Sequence, residues 1–415
     1  MAWFSTSPVL ISRSPDLKRL RDEGYEVAVE NGYLLVGHVP YVRVQEQIVS
    51  GAPIAQKQVA YGTLISHLDL AGDITVKPQN HVALWAGEYP CDSNGLQLTS
   101  LVNEQNKNEK IREGIVATFS FSQKPRPEGY LDYYEKMTTY IKMLEGHARA
   151  LDTNATSMTS HIIIPDEGES IFCYIDNASS RAGTSAANDK LKNGKIAIVG
   201  LGGTGAYLLD LVAKTPIEEI HLFDGDILLQ HNAFRSPGAP SIEDLSKKPA
   251  KVQWLAENYS RMRKGIFPHA QFIDQNNVAE LKQMGFVFLC IEGAHKKMVV
   301  EYLIENNIPF IDVGIGMYVD NDTLGGNVRV TTCTPAFHGH VEKRISFGEG
   351  GENEYSRNIQ IADMNALNAA LAVIKWKKTR GFYFDREHEH NTCYSVITNS
   401  IANEDIPDEE KADQT

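Results

Sequence analysis

Three glycines and one aspartate have the types and the spacing of a nucleotide-binding site. Gly200, Gly202 and Gly205 form a Gly-x-Gly-x-x-Gly pattern directly after an apolar run, and Asp224 ends the next apolar run. Glycines let the backbone turn tightly and approach phosphates, whose charge is attracted by the N-terminus of the helix that follows. The aspartate stands where this motif holds a ribose hydroxyl. The pattern predicts a bound nucleotide and leaves ATP and a nicotinamide dinucleotide both open. It excludes a P-loop, because no Gly-Lys-Ser/Thr follows.

An asparagine and two basic residues narrow the choice of nucleotide. Asn232 and Arg235 follow the second apolar run as Asn-x-x-Arg, and Lys251 stands where the next helix is expected to open. A hydride-transfer enzyme has no need of a guanidinium beside the pyrophosphate. An enzyme that splits ATP needs fixed donors for the charge that develops on the transferring phosphate. We therefore interpret this stretch as an ATP-splitting site.

Two further acids are candidates for holding a magnesium ion. Asp226 lies just beyond Asp224, and Glu292 follows the apolar run Phe286–Cys290 at its C-terminal end. Ligands bind at that end of the strands in open α/β sheets. Magnesium takes one or two carboxylates together with phosphate oxygens and water. The alternative for Glu292 is an acid that favours the start of a helix.

These motifs together resemble a known family. Residues 178–330 are similar to the adenylation domain of ThiF/MoeB-type enzymes, the superfamily that includes ubiquitin-activating enzymes. The resemblance is carried, in this order, by Gly200-Leu-Gly-Gly-Thr-Gly205, Asp224-Gly-Asp226, Asn232-Ala-Phe-Arg235 and Lys251.

The resemblance implies a role for each motif residue. Asp224 would hold the ATP ribose, and Asn232, Arg235 and Lys251 would grip the phosphates beside the glycine loop, which includes Gly203. Arg181 resembles the family's upstream arginine that reaches into the site of a dimer partner, so the resemblance also implies a homodimer.

The chain departs from the family pattern in two places. Glu292 stands where the family has a magnesium-binding aspartate, and the zinc-binding Cys-x-x-Cys pairs are missing from the 5 cysteines. No inserted domain with an evident catalytic cysteine is present. Cys333 is the first candidate for a thioester-forming nucleophile, ahead of Cys393 and Cys91, although a thiol needs a lowered pKa for that role.

The expected function is ATP- and Mg²⁺-dependent adenylation of the C-terminal carboxylate of a ubiquitin-like or sulfur-carrier protein. The resemblance places it in a bacterial ubiquitin-like conjugation pathway, with a ubiquitin-conjugating-like enzyme as a further candidate partner. Three alternatives stay open. They are a catalytically inactive scaffold that binds the ubiquitin-like protein, a NAD-dependent oxidoreductase, and an enzyme that adenylates a small molecule or a peptide.

The elements that must position these residues predict an α/β fold class. We expect a Rossmann-like, ThiF-type adenylation domain with a mainly parallel sheet, preceded by a smaller α+β domain. Near-continuous apolar runs of this kind are typical of parallel strands covered on both faces. The expected strands are Ile196–Val199, Glu219–Phe223, Phe286–Cys290 and Phe310–Val313, and the expected long helices are Tyr130–Ala150 and Asn358–Lys377.

Composition shifts divide the chain into five predicted segments. They are an N-terminal α+β domain of unknown role (1–155), a linker and lead-in (156–190), the adenylation domain (191–345), its C-terminal completion (346–403) and an acidic disordered tail (404–415).

The bulk composition of the 415 residues excludes several classes of protein. The formal net charge of −13 argues against nucleic acid or an anionic membrane as the main partner. No apolar run reaches the roughly 18–20 residues of a membrane span. The first residues lack the basic and apolar regions of a secretion signal, and the scattered cysteines suggest no disulfide framework, so we expect a cytoplasmic protein.

Overall fold

The computed structural model describes residues 8–49, 52–160, 162, 164–165, 170–182, 184–293, 295–347 and 359–403. The predicted tail 404–415 lies outside these residues. The chain divides into two compact units, Met1–Asp166 with Ile175–Gly183, and Glu167–Tyr174 with Thr184–Thr415.

The first unit is built on an antiparallel sheet of six strands, in the order β1-β2-β3-β6-β8-β7. Its elements are α1 (Pro8–Arg13), α2 (Pro15–Asp22), β1 (Glu26–Glu30), β2 (Tyr33–Val49), β3 (Ala52–His67), β4 (Leu70–Ala71), β5 (Ile74–Thr75), β6 (Val82–Ala86), β7 (Val102–Arg112), β8 (Ile115–Ser122), α3 (Tyr133–Arg149) and α4 (Asn177–Arg181).

Helix α3 provides the main apolar face of this unit. It begins after Asp132, whose side chain accepts a hydrogen bond from the N–H of Glu135 and so caps the helix. Its buried residues recur at spacings of three and four and pack against the sheet around Trp85, which is fully buried. The helix predicted over Tyr130–Ala150 is therefore confirmed, with slightly shorter bounds.

The second unit contains a sheet of eight strands, in the order β11-β10-β9-β12-β13-β14-β15-β16. Its elements are α5 (Ser185–Asp189), β9 (Lys195–Val199), α6 (Gly203–Ala213), β10 (Glu219–Phe223), α7 (Gln230–Ala233), α8 (Ile242–Lys247), α9 (Lys251–Ser260), β11 (Ile266–His269), a 3-10 helix (Val278–Gln283), β12 (Phe286–Leu289), α10 (His295–Glu305), β13 (Phe310–Asp320), β14 (Thr323–Cys333), α11 (Val341–Arg344), α12 (Ala362–Thr379), β15 (Asn391–Ser395) and β16 (Ser400–Asn403).

The first five strands of that order are parallel, and β14, β15 and β16 extend the sheet antiparallel. Helices cover both faces. Leu208, Leu255 and Trp376 belong to the core on one face, and Val299 and Val341 to the core on the other. The predicted α/β, Rossmann-like fold class is confirmed. The antiparallel extension and the continuation of β13 to Asp320 were not predicted.

Among the helices of the described residues, none combines the length and the apolar character that a membrane span requires.

Candidate active site

Two glycines shape the turn between β9 and α6. Gly200 has a φ of +88°, in the left-handed region that favours glycine, and a Cβ there would lie 2.6 Å from the carbonyl oxygen of Cys290. A Cβ on Gly205 would overlap the carbonyl oxygen of Gly200. The turn is therefore packed so closely that side chains are excluded from both positions.

The other two glycines differ in what surrounds them. A Cβ on Gly203 would overlap the side chain of Asn365, whereas the nearest atom to a Cβ on Gly202 is Gln360 Oε1, at 3.8 Å. Packing within the protein thus leaves no room for a side chain at Gly203, whereas it leaves room for one at Gly202. The backbone at Gly202, where α6 begins, stays open to a ligand, which suits the close approach of a phosphate to a helix N-terminus.

Asp224 ties the end of β10 to the glycine turn. One of its carboxylate oxygens accepts a hydrogen bond from the N–H of Leu201 at 2.6 Å, and the other accepts from the N–H of Asp226 at 2.8 Å. Its side chain is buried. Each carboxylate oxygen has a second lone pair, so a ribose hydroxyl can still donate to this group.

Lys251 and Asp226 contact each other. Lys251 opens α9, as predicted, and its buried ammonium lies 2.6 Å from the Asp226 carboxylate and 3.9 Å from that of Asp224. A predicted phosphate ligand and a predicted magnesium ligand are therefore joined as an ion pair, with the Asp226 side chain 56% exposed.

Asn232 and Arg235 present buried donors that have no acceptor. Asn232 is 3% exposed, and its Oδ1 accepts a hydrogen bond from the N–H of Leu229 at 2.9 Å. Asn232 Nδ2 and Arg235 Nε are both buried and donate to no group in the described part of the chain. Burial lowers the pKa of Arg235, and the Asp226 carboxylate partly offsets this. Because buried polar groups are normally hydrogen-bonded, the two donors fit an anionic ligand such as a phosphate.

Glu292 lines a narrow cleft beneath the glycine turn, together with Gly202, Val313, Ile315, Gln360 and Asn368. Burial raises the pKa of Glu292, while the Lys296 ammonium lowers it and the Asp312 carboxylate raises it further. The fully buried Asp312 pairs with Lys296 and with Arg329, each at 2.6 Å. This ion-pair network was not predicted from the sequence.

Helix α12 joins two parts of the site through Asn365, which is fully buried. Its Oδ1 accepts a hydrogen bond from Thr204 Oγ1 at 2.9 Å, and its Nδ2 donates to the carbonyl oxygen of Arg235 at 3.2 Å. Sequence reasoning missed this residue. The available signal was a pair of asparagines, Asn365 and Asn368, three residues apart in a largely apolar part of the helix.

The surroundings of Cys333 do not favour a nucleophilic thiolate. Cys333 is 2% exposed, and burial raises its pKa to about 12, so its thiolate is strongly disfavoured. We do not assign it a role. Burial also raises the pKa of Cys91, and Cys393 Sγ accepts a hydrogen bond from Asn391 Nδ2. Arg181 is the last residue of α4 in the first unit, and the role suggested for it stays a prediction.

The described residues contain no cluster of three or more histidines, cysteines and acids that could bind a metal. Any magnesium site here would rely on one or two carboxylates and on the oxygens of its ligand, which is the usual coordination of that ion.

Comparison with protein families gives two matches. The ThiF family matches residues 155–402, and a domain of unknown function, DUF6791, matches residues 15–177. No curated protein matches the chain.

Several solved structures are similar to the chain. E. coli MccB with selenomethionine MccA is 22% identical with a TM-score of 0.43, over 53% of this chain and 66% of that one. Selenomethionine PaaA is 17% identical with a TM-score of 0.45, over 65% and 85%. E. coli MccB with ATP is 19% identical with a TM-score of 0.39, over 53% and 66%. The chain thus spans just under two thirds of these two MccB chains.

Proposed function

The chain belongs to the ThiF family, and from this premise we propose that it is an adenylyltransferase that uses ATP to activate the terminal carboxylate of a peptide or protein. A ubiquitin-like or sulfur-carrier protein is the substrate that the sequence motifs support, and a bacterial ubiquitin-like conjugation pathway is the proposed setting. We keep the cytoplasm as location and the homodimer as assembly within this proposal.

In the proposed reaction a carboxylate oxygen of the substrate attacks the α-phosphorus of ATP. The bond from that phosphorus to the oxygen that bridges it to the β-phosphorus breaks, and the bridging oxygen leaves with pyrophosphate. The product is a mixed anhydride of the carboxylate and AMP. No proton has to move, so catalysis rests on positioning and on neutralising charge.

One observation carries the proposal, namely the pair of buried donors without an acceptor, Asn232 Nδ2 and Arg235 Nε. Fixed donors in a site shielded from water stabilise developing negative charge strongly, because no reorganisation is needed during the reaction. Lys251 adds a buried positive charge beside them, held in place by Asp226. Such a set suits a triphosphate that is losing pyrophosphate.

The glycine turn and Asp224 supply the rest of the proposed ATP contacts. The open backbone at Gly202 would receive a phosphate, and the Asp224 carboxylate would accept a hydrogen bond from the ribose. Glu292 and Asp226 are the carboxylates that would hold Mg²⁺, which supplies charge neutralisation when bound.

The proposal is tested by ATP–pyrophosphate exchange with the full chain, ATP–Mg²⁺ and a candidate ubiquitin-like protein. We expect Arg235→Ala to lower exchange by about 100-fold or more, since it removes a fixed donor to the reacting phosphates. The exposed Arg386→Ala is the matched control and should exchange like the wild type.

Three outcomes would contradict the proposal. Equal exchange in the wild type and in Arg235→Ala would remove the assigned site. Tight binding of NAD, unchanged by Arg235→Ala, would favour the oxidoreductase instead. Binding of the ubiquitin-like protein by a chain that exchanges nothing would favour the scaffold.

A further inference from the structure

The cleft beneath the glycine turn has a mixed lining, in which Glu292, Gln360 and Asn368 are polar and Val313 and Ile315 are apolar. Glu292 lies after β12, and Val313 and Ile315 lie on β13. Because the strand order is β10-β9-β12-β13, the glycine turn separates this cleft from Asp224, which follows β10. The cleft is therefore on the opposite side of the turn from the residue that would hold the ribose.

Two amide oxygens in this cleft have no donor. Asn368 is fully buried, and its Nδ2 donates to the carbonyl oxygen of Gly314 at 3.1 Å, which fixes the direction of the amide. Asn368 Oδ1 and Gln360 Oε1 are both buried and accept no hydrogen bond from any described group. A buried acceptor without a partner is destabilising, so two of them in one cleft indicate a ligand that brings donors.

The chemistry of the two oxygens selects among the groups that could enter the cleft. The phosphate oxygens of ATP are acceptors only, so a phosphate at Gly202 would not donate to either amide oxygen. Magnesium prefers charged carboxylates to neutral amides, so Glu292 rather than the two amide oxygens would hold such an ion. The last peptide unit of a polypeptide has an N–H directly beside the terminal carboxylate, and its apolar Cα edge suits the side chains of Val313 and Ile315.

We propose that this cleft binds the last peptide unit of the substrate, with Asn368 Oδ1 and Gln360 Oε1 sharing the hydrogen bond from its single N–H. The inference rests on the proposed function. The terminal carboxylate would then lie toward the glycine turn. The cleft selects substrates whose C-terminal residue carries a secondary amide, and it excludes a C-terminal proline, which has no N–H.

The test uses two small acids that differ in one group. N-acetylglycine has an N–H beside its carboxymethyl group, and acetoxyacetate has an ester oxygen in the same place. We expect the wild-type chain to support pyrophosphate exchange with N-acetylglycine at about tenfold higher kcat/KM than with acetoxyacetate, because the ester oxygen faces two acceptors.

Variants of Gln360 separate recognition from folding. Gln360→Met removes the acceptor at similar size and should bring the ratio of the two kcat/KM values toward one. Gln360→Glu keeps an acceptor and should keep the preference for the amide. Asn368→Leu should also lower the ratio, and the KM for ATP should stay unchanged in this variant.

The outcomes distinguish this inference from the proposed function. Equal kcat/KM for both acids in the wild type, or a ratio that none of the variants changes, would overturn the inference while exchange itself persists. Exchange with a candidate protein but with neither small acid would overturn it as well. Loss of ATP binding and of all exchange would instead overturn the proposed function.

Discussion

The four glycines of the turn serve different purposes, which the motif alone does not reveal. Gly200 and Gly205 are excluded from bearing side chains by backbone, Gly203 by the side chain of Asn365, and Gly202 by nothing in the protein. The fold therefore requires glycine at positions 200, 203 and 205 but not at 202, where we expect the missing side chain to leave room for a ligand.

The different surroundings of Gly203 and Gly202 predict that a side chain at the first position mainly lowers stability and that one at the second mainly weakens ATP binding. Gly203→Ala should lower the free energy of unfolding by about 1–3 kcal/mol, because its Cβ overlaps Asn365 and would lie 2.8 Å from the carbonyl oxygen of Arg235. Gly202→Ala should cost less than about 1 kcal/mol and should weaken ATP binding. Urea denaturation and nucleotide titration measure the two effects.

A second substitution tests whether the contact with Asn365 causes the loss of stability in Gly203→Ala. Combining Gly203→Ala with Asn365→Ala should make the cost of the first change smaller than in the wild type, because the overlapping side chain is gone. Strict additivity of the two losses would contradict the contact as their cause.

At this scale the sequence pointed to candidate phosphate-binding residues, whose role stays a prediction, and it missed two asparagines of α12. Asn232, Arg235 and Lys251 were singled out because their types and spacing are characteristic of phosphate binding. Asn365 and Asn368 lie far along the chain, and only the packing of α12 onto α6 brings them to the turn. A single sequence does not reveal that juxtaposition.

Among the elements, the parallel part of the sheet was the easiest to predict. Strands β9, β10 and β12 are short apolar runs buried on both faces, and such runs occur in few other contexts. Strand β14 alternates polar and apolar residues and contains two glycines, and β16 is exposed throughout. The antiparallel part of the sheet, to which β14 and β16 belong, depends on β13 continuing beyond the helix-covered region. No local sequence pattern indicates that β13 continues in this way.

Two buried histidines lie at the ends of elements in this part of the fold, and they make its stability dependent on pH. His340 precedes α11 and His390 precedes β15, with ring centroids 5.7 Å apart. Burial lowers the pKa of each to about 4, with the nearby charges of Arg344 and Lys375 lowering it further. Both rings are therefore neutral in the folded protein at neutral pH.

We expect the free energy of unfolding to decrease as the pH falls from about 6.5 to about 4, because the unfolded chain binds protons at these histidines before the folded one does. The slope should reach about 1.4 kcal/mol per pH unit for each histidine. His390→Phe should make the slope shallower in a denaturation series over this range.

The exposed His388 is the matched control for this series. His388→Asn, which suits the positive φ of 49° at that position, should leave the slope unchanged. An equally steep decrease in His390→Phe would show that other groups cause the loss at acid pH.

For the whole molecule, each of the two units contains a core with its own large aromatic residue. Trp85 packs edge-on against Tyr41 in the first unit, and Gly62 and Gly87 leave room for its ring. Trp376 packs against Phe288 in the second unit. Two separate cores of this kind favour two unfolding transitions.

Matched truncations of these residues test that expectation. Trp85→Ala should lower the free energy of unfolding of the first unit by about 3–5 kcal/mol and so shift one calorimetric transition. Trp376→Ala should lower that of the second unit by a similar amount and shift the other transition. If either substitution shifts both transitions equally, the units do not unfold separately.

The path of the chain between the units has a practical consequence. Residues 167–174 belong to the second unit, although residues 175–183 return to the first. The N–H of Lys264 donates to the carbonyl oxygen of Ile171, and the N–H of Cys173 donates to that of Met262, so this short segment borders the approach to β11. No single cut in the polypeptide can release both units whole. A fragment that ends before residue 167 lacks α4, and one that begins at residue 184 leaves the backbone groups before β11 without their partners. Expression of either unit alone therefore calls for a rejoined loop rather than a truncation.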